Sequence, residues 1–105
     1  MAPNPATVVG EDVLGKAHGG DAQDVTAWLD EGGGVDARCA EQGRATLLMA
    51  AACGGHEAMV RMLLQRGASV NLQESIMGST ALMYAAVKGH TTIVQALLDA
   101  KADAS

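Results

Sequence analysis

The sequence repeats itself, and the period limits the folds open to it. Residues 79 to 98, STALMYAAVKGHTTIVQALL, align without a gap on residues 45 to 64, ATLLMAAACGGHEAMVRMLL, at an offset of 34 positions. Thr46 meets Thr80, Met49 meets Met83, Gly55 meets Gly89, His56 meets His90, and Val60, Leu63 and Leu64 meet Val94, Leu97 and Leu98. A weaker copy runs from Glu11 to Leu29 at an offset of 35, where Gly20, Val25, Trp28 and Leu29 match Gly55, Val60, Leu63 and Leu64. A period of this length marks a stack of supersecondary units, none of which can bury its apolar face alone. The chain divides into units at about 11–36, 37–71 and 72–105, which form a single domain, with residues 1–10 expected to be a frayed tail.

Each unit reads as two short antiparallel helices. Thr46 and Thr80 are placed to cap the first helix, since a Thr hydroxyl accepts from an unpaired amide of the first turn. Ala-rich runs follow, and Gly54-Gly55 or Gly89 ends them. The second helix starts near His56 or His90. Its apolar pairs at i, i+1, i+4 and i+5 form a stripe wide enough to face both its sister helix and a neighbouring unit. Gly67 then supplies the left-handed residue that helix ends favour. Apolar residues make up 49% of the chain, yet aromatics are 2% and Phe is absent, so the core is built from small and aliphatic side chains. Such side chains let helices approach closely, which favours stacked helices over a sheet.

Composition also narrows function. A formal charge of -5 with seven Lys and Arg offers no basic footprint for a phosphate backbone, so nucleic acid is not expected as a partner. Two cysteines are too few for a disulfide scaffold and point to free thiols in a reducing, intracellular setting, cytoplasm or nucleus. No apolar run reaches the roughly 18 residues of a membrane span, and no signal-peptide pattern is present.

The repeated segments resemble ankyrin repeats, whose pattern is Gly-x-Thr-Pro-Leu-His-x-Ala-Ala, then Gly-His, Ile/Val-Val, Leu-Leu and Gly-Ala-Asp-Val-Asn. The resemblance covers about residues 11 to 105. It implies an all-α repeat protein, an ankyrin-type solenoid of helix-turn-helix units. β-hairpin or loop fingers would project from segments 36 to 45 and 70 to 79. Leu47 and Ala81 replace the pattern's Pro, and Met49 and Met83 replace its hydrogen-bonding His, so a polar stitch is lost and Met packing recovers part of it. The offsets of 35 and 34 exceed the usual repeat by two residues and one, which lengthens the fingers. Asn71 matches a position that an Asn hydroxylase can modify in the family.

The two ends differ. Lys16 stands where Ala51 and Ala85 stand, and Asp24 where Met59 and Ile93 stand, so unit one puts charge on a face that inner units bury. That marks an N-terminal cap. Unit three keeps Ile93, Val94, Leu97 and Leu98, and an apolar end without a cap implies either a longer array or self-association.

No catalytic, metal or cofactor constellation emerges. Cys53-Gly54-Gly55-His56 invites a nucleophile or half of a zinc site, but the position of Cys53 is Val87 in unit three and His18 in unit one. Glycine holds the position of Gly55 throughout. The glycine is structural and the thiol optional. His56 and His90 read as first-turn residues of the second helix, Trp28 as a core residue in a Leu position, and Gly32-Gly33-Gly34 as a helix end without the Lys of a phosphate loop.

What remains is a non-catalytic protein-binding module that needs no cofactor. The resemblance implies a concave partner surface made of finger tips and the exposed side of each first helix. Carried onto this chain, it comprises Arg38, Cys39, Glu41, Gln42, Arg44 and Ala45 on the first finger, and Gln73, Glu74, Ile76, Met77 and Ser79 on the second. His18, Cys53, Val87 and Lys88 join from the helices. Ile76 and Met77 stand out as apolar residues where polar ones are usual: they are contact anchors or they tuck against the neighbouring finger. Homo-oligomerisation through the third unit, or inhibition of an enzyme by surface occupation, are the alternative roles. If the absent stitch weakens the stack, Met83→His raises the melting temperature; no change, or a fall, shows that Met packing already compensates.

Overall fold

The computed structural model describes residues 7–101. Among them are six α-helices and one 3-10 turn, Ala40–Gln42. The helices are α1 (Glu11–Gly19), α2 (Ala22–Asp30), α3 (Leu47–Gly54), α4 (Glu57–Gln65), α5 (Ala81–Val87) and α6 (Thr91–Asp99). They pair as α1·α2, α3·α4 and α5·α6, while α3 packs between α1 and α5, and α6 packs on α4. The all-α repeat architecture expected from the sequence is what the chain adopts.

Helix starts follow the residues that precede them. Thr46 Oγ1 accepts from the Met49 amide at 3.3 Å, and Thr80 Oγ1 from the Met83 amide at 3.4 Å. At the first of these caps the Met49 sulfur accepts from the Thr46 amide at 3.4 Å, so a thioether completes a reciprocal capping box in place of the absent imidazole. Sulfur is a weak acceptor, so the stitch is replaced by a weaker one there rather than deleted. Gly55 ends α3 at φ 79°, and a Cβ on it would strike the ring of His90. Only glycine gives both the left-handed turn and the space for the next unit's side chain.

The core runs the length of the stack. Leu47, Leu48, Met59, Leu63, Ile93 and Leu97 are almost fully buried, each contributing on the order of 1.5–3 kcal/mol through removal from water. Trp28 packs half-buried against this core, as its Leu-like position implied. Arg66 on unit two reaches Asp30 on unit one at 2.9 Å, and the amide and hydroxyl of Ser69 donate to Asp36 at 2.8 and 2.7 Å. At unit one, Lys16 pairs with Asp24 at 3.2 Å in solvent, as a capping face requires. Exposed pairs of this kind add little stability, but they keep that face wet.

One expectation needs correction. Residues 1–10 are not uniformly a frayed tail: residues 1–6 lie outside the described residues, but Val9 is completely buried. The Val9 amide donates to the Arg38 carbonyl and the Arg38 amide to the Thr7 carbonyl, both at 3.0 Å. The segment pairs with the first finger because a buried Val and two backbone bonds outweigh the entropy of ordering a short tail. The fingers, for which hairpin and loop were both open, are loops among the described residues. The first carries one isolated antiparallel bridge, Cys39 to Ala45, closed around the 3-10 turn. Val9→Ala is expected to lower the unfolding free energy in urea by about 1–2 kcal/mol. An unchanged midpoint would return the segment to a frayed tail.

Candidate functional site

The first helices and the fingers enclose an open groove of about 360 Å³. Its walls are Glu11, Leu14, Gly15 and His18 of α1, Gln42 and Ala45 of the first finger, Met49, Ala50 and Cys53 of α3, Ile76 of the second finger and Tyr84 of α5. The lining is mostly apolar, with a few polar groups at its edge, the usual make-up of a binding cleft. Burial first, then the negative charge of Glu74, pushes the Tyr84 phenol above its ordinary range, so it stays a hydrogen-bond donor.

Five of the residues read from the sequence line this groove: His18, Gln42, Ala45, Cys53 and Ile76. Others surround it. Arg38 is half-buried, its guanidinium donating to the carbonyls of Arg44 at 3.0 Å and Gln73 at 2.6 Å, which ties one finger to the other. Glu41, Arg44, Gln73, Met77, Val87 and Lys88 are exposed, Met77 to 83% and Val87 to 84%. Ser79 is half-buried.

Cys39 and Glu74 do not belong on an exposed surface, contrary to expectation. Cys39 has no exposure. Burial, then a hydrogen bond from its Sγ to Glu41 at 3.3 Å, raises its pKa and holds it as an unreactive thiol. Glu74 is 3% exposed because its carboxylate has turned into its own loop. Oε1 accepts from the amides of Met77 at 2.9 Å and Ser79 at 2.7 Å, and Oε2 from the amide of Ile76 at 2.9 Å. These backbone donors, that of Ser79 foremost, lower the Glu74 pKa against the opposing effect of burial. The loop is thereby held in one shape, with Ile76 and Met77 on its outer side. Ile76 is 74% exposed, yet a Cβ on Gly43 would meet its side chain, so it also covers the backbone of the first finger.

Glu11, Leu14, Gly15, Met49, Ala50 and Tyr84 also line the groove and were missed. Gly15, Ala50 and Tyr84 occupy one repeat position, three residues before His18, Cys53 and Val87. That spacing shares a helix face, so the signal was present once the latter three had been chosen.

The histidines are stitches. His56 Nε2–H donates to the His18 carbonyl at 2.9 Å, and His90 Nε2–H to the Cys53 carbonyl at 3.3 Å, so each caps the end of the preceding unit's first helix. Among the described residues no group of three His, Cys, Asp or Glu could hold a metal ion, and no helix is long and apolar enough to cross a membrane.

Stacked helix-turn-helix units with a groove between first helices and fingers define a helical repeat protein. A family model for ankyrin repeats matches residues 16–105 in three copies. The chain belongs to the ankyrin repeat family. It is similar to the Oryza sativa subsp. japonica protein named "Probable E3 ubiquitin-protein ligase XBOS32", 36% identical over 89 residues that make up 85% of this chain and 18% of that one. It is also similar to the Mus musculus "Ankyrin repeat and SAM domain-containing protein 6", 44% identical over 59 residues, 56% of this chain and 7% of that one. The Caenorhabditis elegans "Ankyrin repeat and KH domain-containing protein mask-1" is 43% identical over 63 residues, 60% of this chain and 2% of that one. The chain thus spans less than a fifth of the length of these relatives. Ankyrin repeats are generally non-catalytic protein–protein interaction modules.

Glu74→Gln keeps the side-chain length and removes the charge. The folded pKa of Glu74 lies below the ordinary 4.5, so its contribution to stability is present above that value and is lost as pH falls through the folded pKa. The variant is expected to melt below wild type near neutrality, with the gap closing as the pH drops below 4.5. A gap that ignores pH would remove the carboxylate from the explanation.

Proposed function

We propose that this chain is a non-catalytic interaction module that holds a segment of a partner protein in the groove between its fingers and its first helices. The observation that supports this most directly is the tip of the second finger. Two large apolar side chains, Ile76 and Met77, are displayed at 74% and 83% exposure on a loop fixed by a buried carboxylate. Fixing the loop in advance reduces the ordering cost that weakens most associations, and apolar anchors rimmed by polar groups are what carry binding energy.

The groove also constrains the partner. Its floor of Leu14, Met49, Ala50 and Tyr84 accepts an apolar anchor, while Glu11 in its lining favours a basic residue next to that anchor. The free thiols of Cys39 and Cys53 support an intracellular setting. The three-histidine, two-cysteine inventory takes no part in chemistry in this reading: the imidazoles of His56 and His90 cap helix ends, and Cys39 is a core residue.

Cys53 gives the test a probe, since it lines the groove while Cys39 is buried. An environment-sensitive maleimide on Cys53 is titrated with displayed peptides selected for an apolar anchor beside Lys or Arg. Met77→Asp is expected to weaken the selected peptides about tenfold or more, equivalent to ~1.4 kcal/mol, with the melting temperature unchanged. Ile76→Asp, which also uncovers Gly43, lowers both affinity and stability. Peptides that bind without altering the Cys53 signal, or that ignore Met77→Asp, would place the partner surface elsewhere.

A further inference from the structure

The two fingers occupy the same place in successive units, so each is a control for the other. Between Cys39 and the Thr46 cap lie six residues, and between Glu74 and the Thr80 cap lie five. Backbone bonds fix where the extra one sits. The Cys39 amide donates to the Ala45 carbonyl at 2.8 Å, as the Glu74 amide does to the Ser79 carbonyl at 2.9 Å. Ala45 therefore matches Ser79. Gly43 matches Gly78, both left-handed at φ 64° and 71°, and Arg44 is the inserted residue. Arg44 continues the left-handed turn at φ 62°, a conformation that side chains disfavour and that Ser79 does not share. The second finger holds itself: Glu74 gathers three amides, and Gln73 Nε2 donates to the Gly78 carbonyl at 3.0 Å. The first finger has Cys39 where the second has Glu74, and so lacks that carboxylate. Its support comes from outside.

We infer that Arg38 is the positioning residue of the groove, bracing the first finger on the second and so setting Gln42 and Ala45 of one wall against Ile76 of the other. The inference rests on the groove reading above. Arg38 stands where Gln73 stands, but its longer, charged side chain reaches further. A single nitrogen, Nη1, donates both to the carbonyl of the inserted Arg44 and across to the Gln73 carbonyl. Such bonds are charge-assisted and stronger than neutral ones. From the second finger, the Ser75 amide and hydroxyl both donate to the Gly43 carbonyl, at 2.7 and 2.8 Å. The strained pair Gly43–Arg44 is thus held at both carbonyls by bonds that involve the other finger. The donors of Nη1 are spent on the main chain, so Arg38 shapes the groove rather than touching what occupies it. Because the second finger is fixed by Glu74, the shape passes from it to the first finger through Arg38 and Ser75.

Arg38→Gln, which gives the first finger the residue of the second, is compared with Arg38→Lys and wild type. Circular dichroism fixes a temperature at which each is fully folded, and every measurement is made there. Amide hydrogen exchange followed by NMR is expected to quicken at Arg44 and Ser75 in Arg38→Gln and to stay unchanged at Met77 and Ser79, which Glu74 holds. The peptides selected on wild type, read through the Cys53 maleimide, are expected to bind Arg38→Gln about tenfold more weakly. Removing a positive charge would by itself favour a basic peptide, so a loss of affinity reports the position of the finger and not its charge. Arg38→Lys keeps several donors on one nitrogen and is expected to recover part of both readouts. Failure of wild type to take up any peptide at the groove overturns the groove reading. Peptide binding by wild type, with exchange or affinity unaltered in Arg38→Gln or with no recovery in Arg38→Lys, overturns only the role of Arg38.

Discussion

Everything in this molecule depends on how closely one first helix can lie against the next. Two alanine positions set that distance. The position occupied by Lys16, Ala51 and Ala85 faces the preceding unit, and the position occupied by Ala17, Ala52 and Ala86 faces the following one. Wherever a neighbour exists, the alanine is fully buried: Ala17, Ala51, Ala52 and Ala85 all have no exposure. A larger side chain at these positions would separate the helices and open voids along the whole stack, since close-packed interiors do not absorb extra volume locally. The near absence of aromatic residues is the compositional trace of this constraint. Where close approach fixes the spacing, the fingers and the groove acquire fixed spacing too.

Most of the stack was legible because helices leave periodic signals. The offsets of 34 and 35, the Thr caps and the glycine turns all report local backbone geometry, and the chain folds as they indicate. His56 and His90, expected in the first turn of the second helix, are its N-caps, and only the structure shows that each reaches back to the preceding unit. What the sequence hid lies in loops. Nothing periodic announces that Val9 enters the core, or that Glu74 turns inward to satisfy three amides of its own finger. A buried carboxylate and an exposed one look alike in a sequence, because the difference is made by amides brought together only after the loop closes. Cys39 was misplaced for the same reason: its neighbour Arg38 is polar, and finger residues alternate between core and solvent with no helix to set the phase.

The groove inherits its character from both sources. Its floor is set by helix positions that repeat, Leu14 with Met49, and Gly15 with Ala50 and Tyr84, so its general placement follows from the period. Its individuality comes from what varies at those positions. One position carries no side chain at Gly15, a methyl at Ala50 and a phenol at Tyr84, so the groove is open at unit one and gains a hydrogen-bond donor at unit three. The groove is therefore a graded surface, with no side chain at this position in unit one and a phenol in unit three.

In the second finger, the groups that hold the loop and the apolar groups it displays are separate. Glu74 accepts from the amides of Ile76 and Met77 themselves, so the groups that fix the loop are the backbone of the residues it displays. The side chains are thus left free of the task of holding the loop, Met77 almost entirely and Ile76 except where it covers Gly43. A loop held by side-chain packing would have to bury those same apolar atoms. Holding it through a carboxylate instead leaves the apolar surface outside, at the cost of burying a charge that only a full set of backbone donors makes tolerable. Because both bonds run to the main chain, side-chain replacement at Met77 changes the apolar surface the finger displays far more than the shape in which the finger is held.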